Sequence, residues 1–259
     1  RAGMLRVATT LDLFDALEML KHAKPLRGNR LAIITNGGGP GVMATDALIA
    51  SNGKLAQLSD ATIASLNAVL PTTWSHGNPV DIIGDAPPER YVAALKVLLD
   101  ATEVDALLFI HAPTAIVAST EIADACAPVI RASPRNVLAC WMGGDGVKAA
   151  DAIFHSSGIP TYSTPEEAVR AFLQLTDYRR NQESLMQTPA SVAENFEPAT
   201  ATARRTILDA IASGRSMLTE PEAKSVLAAY AIPVVETRVA SNAANAVQAA
   251  IDLGFPVAL

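Results

Sequence analysis

The sequence has few cysteines and no long apolar segment. Two cysteines, Cys126 and Cys140, in 259 residues exclude a small fold held together by disulfides. Because no secretory segment precedes them, we expect a reducing, cytoplasmic environment and no disulfide. The longest apolar runs, such as 106–110, are far shorter than the roughly 20 residues that cross a bilayer. We therefore expect a soluble globular protein of one to two domains, without a membrane partner.

Positive charge and metal-ligand patterns are also scarce. Lys and Arg number 20 against 26 Asp and Glu, which gives a formal net charge of −6. A negative protein repels a phosphate backbone, so a nucleic-acid partner is excluded. The four histidines and two cysteines lack metal-ligand spacing, and no G-x-S-x-G motif is present. We expect no metal site and no complete catalytic set, but a contribution to part of a site.

Apolar runs followed by small-residue loops and helical stretches recur along the chain. The run at 31–35 is unbroken, as is typical of strands buried on both faces, and the same pattern recurs from 104–110 and from 137–141. Strands that alternate with helices predict an α/β fold with a mainly parallel sheet and helices on both faces. A last strand is predicted at 159–162, followed by a helix with Thr164 as its N-cap.

The pattern predicts four segments. Residues 1–28 hold a lead-in helix with Thr10 as its N-cap, and 29–180 form the main α/β domain. Residues 181–213 form a polar, proline-bearing linker and a helix. Residues 214–259 resemble the start of a second α/β domain, with strands at 233–237 and 255–259. Because the sequence starts on Arg1 and ends in an apolar run, we expect a piece of a longer polypeptide.

A glycine-rich turn, Asn36 to Gly41, connects the first predicted strand to a helix. Such a turn exposes backbone N–H groups at the positive end of the helix dipole, where phosphate or carboxylate is stabilised. It lacks the register of G-x-G-x-x-G and the Gly-Lys-Ser/Thr of a P-loop. From the residues alone, a tight turn with close helix packing explains the glycines equally well.

Two further loops follow neighbouring predicted strands. Residues 78–81 and 111–114 are expected at the same sheet edge as the glycine turn, which would gather Asn36, Asn78 and Thr114 around one crevice. Ordinary turn chemistry explains Asn78 equally well, because its side chain bonds readily to nearby backbone. At a strand end, His111 is more often a packed or capping histidine than a catalyst, and the same applies to His76.

Several stretches together resemble one family, the NDP-forming (ADP-forming) acyl-CoA synthetases related to succinyl-CoA synthetase. The resemblance covers nearly the whole chain in the family's order, so it is far more specific than one glycine turn. Its motifs are the stretches 34–46, 70–71, 74–81, 142–144, 158–160, 164–166 and 218–224.

The resemblance implies a flavodoxin-like, succinyl-CoA synthetase-like ligase domain over 29–180, followed by the first piece of an ATP-grasp domain. It implies a phosphoryl group that passes from ATP through a histidine outside this chain to a carboxylate, and then CoA displaces phosphate. The longer protein would use ATP, Mg²⁺ and CoA, whereas this chain alone would bind none of them. The acyl or phosphate substrate would be shared with domains outside this chain, and homo-oligomers are compatible with the family.

The resemblance also implies which loops face the phosphate and the carboxylate. One departure concerns residues 112–113, where the relatives have two glycines and this chain has Ala and Pro. Proline has no N–H to donate, so the N–H or hydroxyl of Thr114 is expected to compensate. The expected phosphate- and substrate-binding residues are Asn36, Gly37, Gly38, Gly39, Gly41, Asn78, Asp81, Pro113, Thr114, Gly143 and Gly144.

Two other interpretations stay open. Similar ligase and ATP-grasp regions occur fused to GNAT acetyltransferases that acetylate protein lysines, where they act as regulatory acyl-CoA-binding modules. A flavodoxin-like domain can also serve only in subunit contacts. The ligase interpretation comes first; a histidine in the loop upstream of this chain would support it, whereas an acetyltransferase domain downstream would support the fusion.

Overall fold

A computed structural model describes residues 3–187 and 197–258 of the chain. The chain divides into two compact units, Arg1–Thr188 and Pro189–Leu259. The first unit alternates strands and helices in the order α1 (Thr10–His22), β1 (Arg30–Thr35), α2 (Gly38–Ala50), β2 (Lys54–Leu55), α3 (Asp60–Val69), β3 (Val80–Asp81), α4 (Pro88–Asp100), β4 (Ala106–His111), α5 (Ser119–Ala132), β5 (Asn136–Trp141), a short 3₁₀ turn (Gly144–Val147), α6 (Lys148–Ser156), β6 (Thr161–Tyr162) and α7 (Pro165–Met186).

The strands form one parallel sheet in the order β2-β1-β4-β5-β6. Strand β2 pairs with the start of β1, at Arg30 and Leu31, while β3 pairs with the end of β1, at Ile34 and Thr35. Two very short strands thus share one edge of β1. The central strands β4 and β5 are buried along their whole length, which explains their continuous apolar sequence.

Apolar side chains pack against both faces of the sheet. One core cluster joins the sheet to α3, α4, α5 and α6, with Leu66, Tyr91, Ile122 and Phe154 among its buried members. The other joins the sheet to α1, α2 and α7 and includes Met19, Leu48 and Phe172. The structure therefore confirms the predicted mainly parallel α/β fold with helices on both faces.

Helix caps account for several element boundaries. The side chain of Thr164 accepts from the N–H of Glu167, and Glu167 accepts in return from the Thr164 N–H, which is a capping box. Thr9, rather than the expected Thr10, caps α1 through a capping box with Asp12. Helix α7 continues to Met186, so the linker expected from 181 is helical at its start, and 188–196 lie outside the described residues.

The second unit contains three described helices: α8 (Thr200–Ala212), α9 (Glu220–Ala229) and α10 (Ala243–Leu253). Thr219 caps α9 through a capping box with Glu222. The strand predicted at 233–237 is wrong, and the described part of 255–259 is not a strand either. A strand requires a neighbour for its backbone hydrogen bonds, and neither segment has one within 197–258.

Two further predictions concern cysteines and membranes. Cys126 and Cys140 are both free and buried in the first unit. Burial raises the pKa of both thiols above the ordinary value, so they are not thiolates at neutral pH. Within 3–187 and 197–258, every helix is too short or too polar to cross a membrane.

Candidate functional site

The strand order reverses between β1 and β4: β2 follows β1 on one side of this pair in the sheet, and β5 follows β4 on the other side. Strand β1 leads into α2, which packs on one face of the sheet, and β4 leads into α5, which packs on the other. In open parallel sheets, this divergence opens a crevice beyond the carboxyl ends of the two strands, where ligands commonly bind. The loops after β1, β3, β4 and β5 are therefore the candidate site of this molecule.

The amino terminus of α2 borders this crevice. Gly37 is its N-cap, and Gly38 and Gly39 form the exposed first positions of the helix. No side chain caps the helix and its first turn contains no acidic residue, so the N–H groups of Gly38 and Gly39 stay available. A methyl group added at Gly39 would meet no atom within 4 Å. An anion can therefore approach this end of the helix closely.

Gly41 has a different environment from its neighbours. It is buried, and a Cβ at this position would lie 3.1 Å from Thr35 Cγ2 and 3.2 Å from Pro79 Cβ. Both distances are tighter than ordinary van der Waals contacts. Gly41 thus allows α2 to approach the end of β1 and the residue after Asn78, which is a packing role.

The side chain of Asn36 connects the ends of β1 and β4. Its Oδ1 accepts from the Ala112 N–H at 2.8 Å, and its Nδ2 donates to the Ala112 carbonyl at 2.8 Å. The side chain is 5% exposed, so this pair of hydrogen bonds lies largely out of water. Asn36 therefore fixes the floor of the crevice and holds the loop after β4 against the glycine turn.

The side chain of Asn78 lies beside the middle of β1, between the parts that pair with β2 and β3. Its Oδ1 accepts from Ile33 N–H at 2.9 Å, and its Nδ2 donates to the carbonyls of Leu31 at 3.0 Å and Ala56 at 2.9 Å. The amide thus takes the place of strand backbone along this edge. This position differs from the expected place at the strand ends, because the amide N–H groups bond to the carbonyls of Leu31 in β1 and of Ala56, which follows β2.

Asp81, the last residue of β3, lies next to the start of α2. Its Oδ1 accepts from the Ile83 N–H at 2.9 Å, and a Cβ at Gly38 would lie 3.3 Å from its Oδ2. Ile83 has a φ of 71°, which is strained for a β-branched residue. The carboxylate therefore places a negative charge at the mouth of the crevice and anchors a strained loop.

The loops after β4 and β5 form the other wall. Pro113 is exposed, and Gly143 adopts a φ of 126° with the position of its missing Cβ only 2.6 Å from Pro113 Cγ. Only glycine fits there without moving the proline. Gly144, with a φ of 56°, has open space around it. The hydroxyl of Thr114 accepts weakly from the Ile116 N–H at 3.4 Å, so it retains a proton to donate.

A buried polar chain begins at His111, the last residue of β4. His111 Nδ1 lies 2.8 Å from the Tyr91 hydroxyl, and Nε2 lies 3.0 Å from Ser119 Oγ. Burial lowers the pKa of His111 from 6.5 to about 4 and raises the pKa of Tyr91, so both are neutral at pH 7. The expected packed histidine is present, whereas no sequence signal identified Tyr91 and Ser119 as its partners.

His76 has a different role in the loop that precedes Asn78. Its ring nitrogens lie 3.0 Å from Asn67 Oδ1 and 2.9 Å from the Thr72 carbonyl, and its φ is 52°. These contacts hold the loop to the end of α3. No group of three or more His, Cys, Asp or Glu side chains suited to a metal ion occurs within the described ranges 3–187 and 197–258.

Comparison with protein families identifies the domain that contains this crevice. The model of the Ligase-CoA domain matches residues 31–186, which is more than half of the chain and includes every loop of the crevice. The chain belongs to the Ligase-CoA family of the ADP-forming acyl-CoA synthetases. This match confirms the family resemblance that the motifs indicated. The model of the ATP-grasp domain matches residues 209–259.

Individual relatives agree with this family. Acetate–CoA ligase [ADP-forming] I of Archaeoglobus fulgidus is 35% identical over 261 residues, covering 100% of this chain and 36% of that protein. The alpha subunit of acetate–CoA ligase [ADP-forming] II of Pyrococcus furiosus is 37% identical over 190 residues, covering 70% of this chain and 40% of that subunit. The chain thus spans little more than a third of the length of these curated relatives.

A solved structure resembles the chain as well. Acetyl-coenzyme A synthetase 1 of Ca. Korarchaeum cryptofilum, in complex with phosphate and ADP, matches with a TM-score of 0.68 and 30% identity, covering 73% of this chain and 41% of that chain. This Ligase-CoA chain therefore shares both the fold and the motifs of ADP-forming enzymes.

Proposed function

We propose that residues 31–186 provide the phosphate- and acyl-binding loops of an ADP-forming acyl-CoA synthetase of the acetate–CoA ligase type. Such an enzyme converts ATP, a carboxylate and CoA into acyl-CoA, ADP and phosphate. One observation carries the proposal: in a chain of the Ligase-CoA family, the uncapped, exposed amino terminus of α2 opens into the crevice at the reversal of strand order.

In this proposal, the N–H groups of Gly38 and Gly39 stabilise the negative charge of a phosphoryl or acyl-phosphate group. Preorganised donors at a helix terminus stabilise such charge without having to reorient during the reaction. Gly37, Gly143 and Gly144 let the walls of the crevice approach the substrate, and the Thr114 hydroxyl adds a donor beside Pro113.

Two other predicted site residues support the crevice from beneath. The Asn36 amide holds the Ala112 backbone, and the Asn78 amide completes the edge of β1. We propose that both position the glycine turn without touching the substrate. Asp81 lies close enough to Gly38 to oppose anion binding, so it limits how tightly phosphate is held and favours its release.

The longer protein is proposed to use ATP, Mg²⁺ and CoA, with residues 209–259 as the first part of its ATP-grasp domain. The phosphorylated histidine and the rest of the nucleotide site would come from domains outside this chain, which share the substrate. We propose a cytoplasmic location. The reported relatives are a ligase, a ligase subunit and a synthetase by name, which favours a ligase over the regulatory module of an acetyltransferase fusion.

The proposal is tested with the full-length protein that contains this segment, supplied with ATP, Mg²⁺, CoA and a panel of carboxylates. We expect continuous formation of ADP and phosphate, beyond one equivalent of ADP from phosphorylation of the histidine, only when a suitable carboxylate and CoA are both present. Formation of AMP, or no acyl-CoA with any carboxylate, contradicts the proposal.

A pair of variants on α2 tests the contribution of this chain. Gly39→Val adds bulk at the exposed start of the helix, where space is open, and should reduce acyl-CoA formation at least tenfold. Ala50→Val adds the same side chain at the exposed far end of the same helix and should leave the rate unchanged. Equal rates in both variants would show that the amino terminus of α2 is not used.

A further inference from the structure

Tyr91, His111 and Ser119 form a continuous hydrogen-bonded chain that the proposed function does not use. Tyr91 is fully buried on α4, His111 is 1% exposed at the end of β4, and Ser119 is partly exposed as the first residue of α5. These three hydrogen-bonded side chains therefore extend from the core to the sheet edge that carries the crevice. Their exposed end lies on the α5 side, opposite the start of α2.

The donors and acceptors of this chain can be assigned from chemistry. Among the described residues, the Tyr91 hydroxyl has one hydrogen-bond partner, His111 Nδ1 at 2.8 Å. A buried phenol that stays neutral must donate its proton, so Nδ1 is the acceptor. The imidazole is neutral and therefore has its single proton on Nε2. Nε2–H then donates to Ser119 Oγ at 3.0 Å.

This assignment determines what the Ser119 hydroxyl can do. Its oxygen accepts from His111, so its own proton is free to donate elsewhere. The imidazole is held from another side by the ring of Trp141, whose centroid lies 5.0 Å away. Because Tyr91 and His111 are buried and packed, the Ser119 oxygen is held in place before a ligand arrives.

We propose that Ser119 donates its hydroxyl proton to an oxyanion, phosphoryl or carboxylate, in the crevice, and that Tyr91 and His111 are positioning residues that orient this donor. The proposal rests on the proposed function and adds a donor from α5 opposite the N–H groups of Gly38 and Gly39. In this arrangement the buried imidazole of His111 acts as a hydrogen-bond donor, because its one acceptor nitrogen is already occupied by the Tyr91 hydroxyl.

The first test observes the protonation of His111 directly. ¹⁵N NMR of the chain at pH 7, with the signal assigned through His111→Gln, should show a neutral imidazole with the proton on Nε2. In Tyr91→Phe the phenol proton is missing, so the Nε2–H form should persist while the Nδ1 resonance shifts to that of a nitrogen without a hydrogen bond, and the backbone spectrum of the first unit should be retained. A dominant Nδ1–H form in the unaltered chain overturns the proposal.

The second test measures ligand binding by the backbone N–H resonances of Gly38 and Gly39, in separate titrations with inorganic phosphate and with acetate. Ser119→Ala should weaken binding of the preferred ion about tenfold, as expected for loss of a hydrogen bond to a charged group. Ser119→Thr, which keeps the hydroxyl, should restore it. Ser65→Ala, an exposed serine on α3 whose hydroxyl bonds within its own helix, is the matched control.

The outcomes separate this inference from the proposed function. Binding at Gly38 and Gly39 that is equal in the unaltered chain and in Ser119→Ala overturns the inference and leaves the proposed phosphate site intact. Absence of binding by either ion to the unaltered chain overturns both. A preference for phosphate over acetate, lost in Ser119→Ala, assigns the donor to the phosphoryl group.

Discussion

Mild acid should destabilise the first unit through His111. The pKa of this histidine is about 4 in the folded protein and 6.5 when exposed, so the unfolded chain binds a proton more readily. The associated stability is fully present above pH 6.5 and is lost as the pH falls towards 4. Between pH 7 and pH 5, the free energy of unfolding should fall by about 2 kcal/mol from this residue alone.

Comparison of the unaltered chain with His111→Gln isolates the contribution of this histidine. His111→Gln keeps an acceptor for Tyr91 and a donor for Ser119 but cannot titrate. Urea unfolding is monitored by tryptophan fluorescence, because Trp74 and Trp141 are both buried in the first unit and the protein has no other tryptophan. Other titrating groups, such as Glu103, act on both chains equally.

The expected result is a pH-dependent loss that is about 2 kcal/mol larger in the unaltered chain than in the variant. Equal losses in the two chains between pH 7 and pH 5 would refute the reasoning, because they would mean that His111 titrates as it does in water. A uniform drop in the stability of His111→Gln at all pH values leaves the prediction intact, since only the slope matters.

Two more predictions concern the support and the charge of the crevice. Asn78→Ala leaves the Ile33 N–H and the Ala56 carbonyl without partners, while the Leu31 carbonyl keeps the Ala56 N–H, so unfolding in urea should require about 3 kcal/mol less free energy; a loss below about 1 kcal/mol would contradict the edge-filling role. Asp81→Asn keeps the acceptor for the Ile83 N–H but removes the charge beside Gly38, so inorganic phosphate should bind about fivefold more tightly, from roughly 1 kcal/mol of relieved repulsion. Unchanged phosphate affinity in calorimetry would place the anion away from Asp81.

Sequence alone predicts the parts of this molecule that depend on local signals. The continuous apolar runs indicate β1, β4 and β5, and Thr164 with Glu167 marks the start of α7. The glycine turn at residues 36–41 likewise predicts a strand, a turn and a helix. Each of these signals lies within a few residues of the structure that it determines.

The rest depends on contacts that are distant in sequence. Strands β2 and β3 have two residues each, too few for a periodic pattern, and the role of Asn78 follows from the gap that they leave along β1. Tyr91 and Ser119 lie 20 and 8 residues from His111 and meet only when α4, β4 and α5 pack together. The stretch at 233–237 resembles a strand in its sequence, but a strand also requires a partner.

The central claim is that the amino terminus of α2 binds the reacting phosphate, and titration of the ¹⁵N-labelled chain with inorganic phosphate tests it most directly. We predict that the amide resonances of Gly38 and Gly39 shift the most and saturate, and that Gly39→Val abolishes this response while Ala50→Val retains it. Saturable phosphate shifts that lie elsewhere, or that persist in Gly39→Val, would contradict the account.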